Sequence, residues 1–224
     1  MNSTLANETI NADLMSLIPE GTRHIVDIGG AHADLARAYC ETSPDTVVTG
    51  LDAESENAAA EQQNAGAVVQ GDIETMSDEQ LAALASGDCW VLGNNIEKMR
   101  DPWATMKRLR AVVEPGASIL VCVPNAQHWS VQWQLISGNF RYDEQQTLTE
   151  RSTHLFTRTT LIELFAQTGW EVEDGLTRQL TTPEQKQYLE AVRQFAQTAG
   201  LDPDLAVQDA TPYQYLFRLK PATL

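Results

Sequence analysis

The sequence predicts an α/β fold, a doubly wound and mostly parallel sheet of seven strands with helices on both faces. Short apolar, β-branched runs alternate with longer helical patterns, as in parallel sheets whose strands are joined by helices. One run, Ser118–Val123, is almost continuously apolar and predicts a strand buried on both faces. Another run ends in the paired glycines Gly29 and Gly30 and is followed by a helical pattern, a typical ligand-binding turn.

The periodicity places each element along the chain. Predicted strands are His24–Ile28, Thr46–Leu51, Ala67–Val69, Cys89–Leu92, Ser118–Val123, Trp170–Val172 and Tyr213–Leu219. Predicted helices are Leu35–Thr42, Glu54–Gln63, Ser77 to about Ala85, Pro102–Val113, Arg158–Thr168 and Thr182–Ala199. We expect one domain over residues 1–224, with a helical N-terminal extension at 1–22, an irregular lid or acceptor segment at 125–157, and a helical insertion at 182–210.

Composition restricts the function. The 224 residues carry a net charge of −16, which repels phosphate backbones and anionic lipids, so we expect neither nucleic acid nor membrane as partner. The chain shows no signal-peptide pattern, and three scattered cysteines predict free thiols in a reducing compartment; the expected location is cytoplasmic.

Polar residues follow the first three predicted strands. Asp27, Gly29 and Gly30 mark the end of the first strand, Asp52 follows the second, and Gly71-Asp72 follows the third. Glycines permit close approach of backbone to a ligand, and an acid about 20 residues further on can receive ribose hydroxyls. An acceptor at Asp72 could meet an adenine amino group.

These motifs resemble class I S-adenosylmethionine-dependent methyltransferases, in particular a small-molecule branch often associated with glycosyltransferases. The resemblance rests on six stretches in family order: His24–Ala33, Thr49–Asp52, Gln70–Glu74, Asn95–Pro102, Glu114–Gly116, and the run from Val123 through Gly138–Tyr142 to Thr153–Thr157. It implies a Rossmann-like fold with an antiparallel last strand and S-adenosyl-L-methionine as cofactor. The implied cofactor-binding residues are Asp27, Gly29, Gly30, Ala31, Asp52, Ala53, Gly71, Asp72, Ile73 and Asn94.

The chain departs from the family pattern at four positions. Ala31 and Ala33 stand where the family has glycine in the cofactor turn, Lys98 replaces a histidine, and Ala117 replaces the second glycine of a Pro-Gly-Gly turn. The alanine methyl groups are expected to weaken cofactor binding rather than abolish it.

The expected reaction is methyl transfer to a small-molecule acceptor, with a hydroxyl of a sugar or glycoconjugate suggested by the family resemblance alone. A hydroxyl needs a base, and His154 and His128, both in the lid segment, are the candidates. Trp129, Trp133, Phe140 and Tyr142 could line an acceptor pocket or bury the lid on the sheet. The 182–210 insertion could cover the site or form a homodimer contact, and no metal-ligand spacing is present.

Two alternative functions remain at this point. The four departures also fit a non-catalytic binding or regulatory protein that keeps the fold. A nicotinamide-dependent dehydrogenase shares a glycine turn followed by an acid, but residues 29–34 lack the G-x-G-x-x-G spacing that pyrophosphate requires.

Overall fold

The computed structural model describes residues 12–29, 33–52, 67–142 and 148–223. The predicted helix at Glu54–Gln63 and the cofactor-turn residues Gly30 and Ala31 lie outside these ranges, as does Ala53. The side chain of Asp52 is also outside the description, which covers its backbone only.

A seven-stranded sheet forms the centre of the molecule, in the order β3-β2-β1-β4-β5-β7-β6. Strands β1 to β5 are parallel to one another, and β7 runs antiparallel between β5 and β6. This confirms the predicted doubly wound sheet with an antiparallel last strand. The strands are His24–Ile28 (β1), Val47–Asp52 (β2), Ala67–Gln70 (β3), Cys89–Gly93 (β4), Ser118–Pro124 (β5), Trp170–Gln179 (β6) and Pro212–Pro221 (β7).

Seven helices accompany the strands in the described parts of the chain. They are Ala33–Thr42 (α1), Asp78–Ala82 (α2), Pro102–Val112 (α3), Trp129–Ile136 (α4), Arg158–Gln167 (α5), Gln185–Thr198 (α6) and Pro203–Ala210 (α7). A short 3₁₀ helix, Ile96–Lys98, follows β4, and residues 12–16 form a helical segment before β1. The capping box that the sequence predicts at Ser77 and Gln80 is present at the start of α2.

Two apolar cores cover the two faces of the sheet, because successive strand side chains point to opposite faces. In β1, Val26 and Ile28 belong to the core beneath α2, α3 and α5, whereas Ile25 belongs to the core beneath α1 and the N-terminal helical segment. Every residue of β4 and β5 is buried, as expected for central parallel strands.

The structure corrects two sequence predictions. β6 extends to Gln179 rather than ending at Val172, because its outer half is a polar and largely exposed edge that pairs with β7 and carries no apolar signal. The segment 125–157, predicted to be irregular, contains α4, whose start is capped by His128. No described helix is long and apolar enough to cross a membrane.

Candidate active site

The carboxyl ends of β1 and β4 are adjacent, and the connections from these two strands lead to opposite faces of the sheet. Open α/β sheets bind ligands at such a switch point. Gly29 continues the ladder one step past β1, since its N–H donates to the Leu51 carbonyl at 2.7 Å. Its φ of +89° is a left-handed conformation that favours glycine.

Asn95 closes the switch point, a role that the sequence prediction missed. Its Nδ2 donates to the Ile28 carbonyl at 2.7 Å and also to the Leu92 carbonyl, so one side chain joins the ends of β1 and β4. A Cβ at Gly29 would lie 2.6 Å from Asn95 Nδ2. The glycine is therefore required by the packing of Asn95 as well as by the backbone conformation. A polar residue two positions after a buried strand was the available signal.

The predicted acids lie at the expected edge of the sheet. Asp27 is 3% exposed and pairs in register with Gly50 of β2 and Val91 of β4, which places it between these strands beneath the switch point. Asp52 is the last residue of β2, opposite Gln70 of β3. Gly71 and Asp72 continue directly from β3, so the second and third acids follow neighbouring strands.

The turn after β3 is held in one shape by side chains. Asp72 Oδ1 accepts from the Glu74 N–H at 2.8 Å, and Asp72 Oδ2 lies 3.7 Å from the Arg100 guanidinium. Glu74 in turn accepts from the backbone N–H groups of Arg100 and Asp101 at 2.9–3.1 Å. Ile73 is buried beneath the turn. The connections after β3 and β4 are thereby joined into one wall of the site.

Arg108 of α3 strengthens this wall, and the sequence prediction missed it. Its guanidinium donates to the carbonyls of Ile73, Glu74 and Met76 and pairs with Asp78 at 3.0 Å. One arginine thus satisfies three turn carbonyls that would otherwise depend on water. An amphipathic helix pattern gives no indication of such a contact.

Asn94 connects the switch point to the other end of the sheet. Its Oδ1 accepts from Gln214 Nε2 at 3.5 Å, and Gln214 Oε1 accepts from Arg178 at 2.7 Å. Arg178 also pairs with Asp13 of the N-terminal helical segment at 3.1 Å. The contacts run from β4 through β7 and β6 to that segment.

His128 is fully buried and serves as the N-cap of α4. Its Nδ1 accepts from the Ser130 N–H and lies 2.7 Å from the Ser130 hydroxyl. Burial lowers the pKa of His128 to about 4, so the ring is neutral. A neutral ring whose Nδ1 accepts carries its proton on Nε2, and neither nitrogen is then free to take a proton from an acceptor.

His154 lies in a different setting. Its backbone N–H donates to the Glu97 carbonyl at 3.0 Å, and its Nδ1 lies 3.2 Å from the Thr153 hydroxyl. The half-buried ring packs against Trp103 and Phe156 at centroid distances of 6.0 and 6.1 Å. His154 is therefore next to the connection that follows β4, whereas His128 follows β5.

The aromatic residues of the lid segment pack mainly against protein. Trp129 stacks on Tyr188 of α6 with ring centroids 5.0 Å apart, and Trp133 contacts the same ring at 4.9 Å. Phe140 and Tyr142 contact each other. Trp129 is buried, while Trp133 and Tyr142 remain about half exposed. The Trp129–Tyr188 stack binds α4 to the 182–210 insertion.

Glu97 is the most unusual acid near the switch point. It lies in the 3₁₀ helix after β4, is 2% exposed, and has Lys98 Nζ 3.9 Å from its Oε1. Its Oε2 is buried and has no hydrogen-bond donor among the residues that the structure describes. Burial raises the pKa of Glu97 to about 7, and the nearby Lys98 opposes this shift.

The chemistry of these residues fits an adenosine-containing cofactor. Carboxylates lie near the end of β1, at the end of β2 and just after β3, and amides follow β4, all at one edge where ribose hydroxyls and an adenine amino group could be received. Within the described ranges, no group of three His, Cys, Asp or Glu side chains could hold a metal ion.

Comparison with known proteins identifies the family and the fold. Residues 7–174, three quarters of the chain, match a family described as methyltransferase domain. Among curated proteins, no sequence is significantly similar to this chain.

Solved structures share the fold at low sequence identity. A SAM-dependent methyltransferase from Archaeoglobus fulgidus is 18% identical with a TM-score of 0.63, over 96% of this chain and 94% of that one. The plantazolicin methyltransferase BpumL, solved with SAH, is 14% identical with a TM-score of 0.58, over 98% and 84%. Mitomycin 7-O-methyltransferase is 14% identical with a TM-score of 0.60, over 97% of this chain, which spans only 54% of that enzyme.

The match to the methyltransferase model covers well over half of the chain, and the sheet order is that of the methyltransferase fold. The chain belongs to the methyltransferase domain family and is a class I methyltransferase whose cofactor is S-adenosylmethionine.

Proposed function

We propose that this methyltransferase acts on a small-molecule acceptor, and that the methylated atom is a hydroxyl oxygen, such as that of a sugar or glycoconjugate. The observation that carries the proposal is the polar edge after β4 and β5, where Asn94 contacts Gln214, Glu97 follows β4, and the Trp129–Tyr188 stack joins α4 to the 182–210 insertion. Such an edge suits a compact ligand better than a polymer. The names of the mitomycin and plantazolicin enzymes, which share the fold, support a small acceptor.

The cofactor is proposed to lie across the carboxyl ends of β1 to β4. Asp52 would receive the ribose hydroxyls, Asp72 and Ile73 would contact the adenine, and Asp27 with Gly29 would face the methionine portion. Bound S-adenosylmethionine supplies a methyl group on a positively charged sulfur. The work of the chain is then to align the acceptor and exclude water, which can account for most of the acceleration.

The acceptor is proposed to approach from the side of β5 and β7. The net charge of −16 favours a neutral or cationic acceptor and disfavours nucleic acid or an anionic membrane. His154 remains a candidate base on its position, whereas His128, held neutral as a helix cap, fits a structural role better. A homodimer contact through the 182–210 insertion stays a further proposal.

Two measurements test the proposal. Calorimetry with S-adenosylhomocysteine should give micromolar binding that Asp52→Asn weakens at least about tenfold, roughly the loss of one good hydrogen bond to a charged group. Glu163→Gln, an exposed carboxyl on α5, is the matched control and should bind normally.

Transfer of labelled methyl from S-adenosylmethionine should then be measured on a panel of methyl glycosides, phenols and amines. Methylation of hydroxyl compounds supports the proposal. Binding of S-adenosylhomocysteine with transfer only to amines, or to none of the panel, would refute the hydroxyl assignment.

A further inference from the structure

The buried carboxyl of Glu97 has one oxygen that finds no hydrogen-bond partner in the described part of the chain. Among the described residues Oε2 is buried and receives no hydrogen bond, while the carboxyl also interacts with the Glu97 backbone and has Lys98 Nζ 3.9 Å from Oε1. Buried polar atoms in folded proteins are nearly always paired, so an unpaired carboxylate oxygen destabilises the fold. A functional role would explain why it is kept. The contacts recorded for the side chain give this oxygen no structural role.

The position of Glu97 is suited to catalysis. It lies in the connection after β4, next to the switch point closed by Asn95, and its 3₁₀ helix packs against β5. The charged or titratable groups that interact with its carboxyl are Lys98 on its own helix and the thiol of Cys122 on β5, while the backbone N–H groups of Thr153 and His154 bond to its main-chain carbonyl. Burial raises the pKa of its carboxyl to about 7, close to the value at which a general base works best.

The segment that carries His154 is fixed to Glu97 through the backbone. The N–H groups of Thr153 and His154 donate to the Glu97 carbonyl at 2.8 and 3.0 Å, and the Thr153 hydroxyl donates to the Met99 carbonyl at 2.9 Å. The backbone of Glu97 and the segment that carries His154 are therefore joined by hydrogen bonds.

We propose that Glu97 is the catalytic base of this enzyme and that its Oε2 accepts the proton of the acceptor hydroxyl; this rests on the proposed function above. The acceptor oxygen forms a bond to the methyl carbon and gives its proton to Oε2, while the electrons of the broken carbon–sulfur bond stay on sulfur. Atoms and charge balance, because the sulfonium charge is lost as Glu97 becomes neutral. Lys98, near Oε1, helps to keep the acid ionised before the proton is taken.

The test compares acceptors that differ only in their need for a base. Phenol must lose a proton on methylation, whereas thiophenol is already a thiolate at pH 8 and does not need one. Glu97→Gln should lower transfer to phenol by roughly 100-fold or more and leave transfer to thiophenol unchanged. Affinity for S-adenosylhomocysteine should not change, and Glu163→Gln should behave as the wild type on both probes.

The pH profile gives a second readout. Transfer to phenol by the wild type should rise with pH through a pKa near 7 and lose this dependence in Glu97→Gln. If Glu97→Gln keeps its activity on phenol while His154→Ala loses it, His154 is the base and the proposal is wrong. An equal loss on both probes would indicate a structural role and would also overturn it.

A measurement without acceptor separates this proposal from the proposed function. Carbon-13 NMR of the glutamate side chains in the S-adenosylhomocysteine complex, assigned with Glu97→Gln, gives the titration of Glu97 directly. A Glu97 carboxyl that titrates near the ordinary value of about 4.3 refutes the base assignment whatever the acceptor. If Glu97 titrates near 7 but no hydroxyl compound is methylated, the proposed hydroxyl acceptor is refuted. The assignment of Glu97 as the base for that hydroxyl is then refuted as well.

Discussion

Substituting alanine for Gly29 tests how the switch point is built. Two separate costs arise. A residue with a Cβ must adopt the φ of +89° seen at Gly29, and its Cβ must fit where Asn95 Nδ2 lies 2.6 Å away. Asn95 cannot move aside freely, because its amide donates to carbonyls at the ends of both β1 and β4.

The structure gives the size of each cost. A left-handed conformation costs a non-glycine residue about 1–2 kcal/mol. Overpacking against Asn95 adds about 1–3 kcal/mol, either as strain or as the loss of its hydrogen bonds. We therefore expect Gly29→Ala to lose about 3 kcal/mol, which for a domain of this size lowers Tm by roughly 6–12 °C.

Gly138→Ala is the matched control, since Gly138 has a φ of +70° but no atom of the described residues within 4 Å of the position of a Cβ. Thermal unfolding followed by circular dichroism should show a loss of only about 1–2 kcal/mol for this variant. Measured against Asn95→Ala, which itself loses the hydrogen bonds of Asn95, adding Gly29→Ala should cost only the left-handed part of about 1–2 kcal/mol. If Gly29→Ala and Gly138→Ala lose the same stability, the structural account of Asn95 is incorrect.

Three further predictions concern side chains of the site. Burial lowers the pKa of His128 from 6.5 to about 4. The unfolded chain therefore binds a proton at this histidine before the folded protein does, and the free energy of unfolding falls as the pH drops from 6.5 to 4. His128→Asn should remove roughly 3 kcal/mol of that acid-induced loss, as measured by urea unfolding at pH 7 and pH 4. Burial raises the pKa of Glu97 from 4.5 to about 7, so the folded protein loses stability as the pH rises through this range. Glu97→Gln should therefore be more stable than the wild type at pH 8, by up to roughly 3 kcal/mol, and should show no such gain at pH 4. Arg108→Met should weaken S-adenosylhomocysteine binding by about tenfold, because three carbonyls of the turn after β3 lose their donor, while Lys107→Met on the exposed side of α3 should not.

Each of these predictions has a contradicting result. A wild type and a His128→Asn variant with parallel stability curves would mean that His128 titrates normally. An equal Tm difference at pH 4 and pH 8 would show that Glu97→Gln acts through packing rather than charge. Normal cofactor binding by Arg108→Met would show that the turn keeps its shape without the guanidinium.

The order and type of the central elements could be predicted because each has a strong local signal. The apolar runs of β1, β4 and β5 and the capping residues of α2 and α3 specify their elements largely without distant contacts. The outer half of β6 could not be predicted, since its polar residues become a strand only through pairing with β7. Likewise α4 is short, and its N-cap is a histidine rather than one of the usual residues.

The residues of the site likewise divide into those that a local sequence pattern predicts and those that only distant contacts reveal. Motifs place Asp27, Asp52 and Asp72 at strand ends, because strand ends are local features of the sequence. The contacts of Asn95 and Arg108 join residues that are 67 and 32–35 positions apart in the chain, so no local pattern reports them. The missing donor of Glu97 Oε2 is a property of its surroundings and can only be seen in three dimensions.

The reversed direction of β7 has a consequence for how this chain can change. β6 ends and β7 begins at the same edge of the sheet, and Gln179 pairs in register with Pro212. The helices α6 and α7 thus leave and return at points one strand spacing apart, about 5 Å, a gap that a two-residue hairpin turn can close. The helices α6 and α7 are thus an insertion into the β6–β7 hairpin. This insertion can be shortened, lengthened or exchanged without altering the order of the strands.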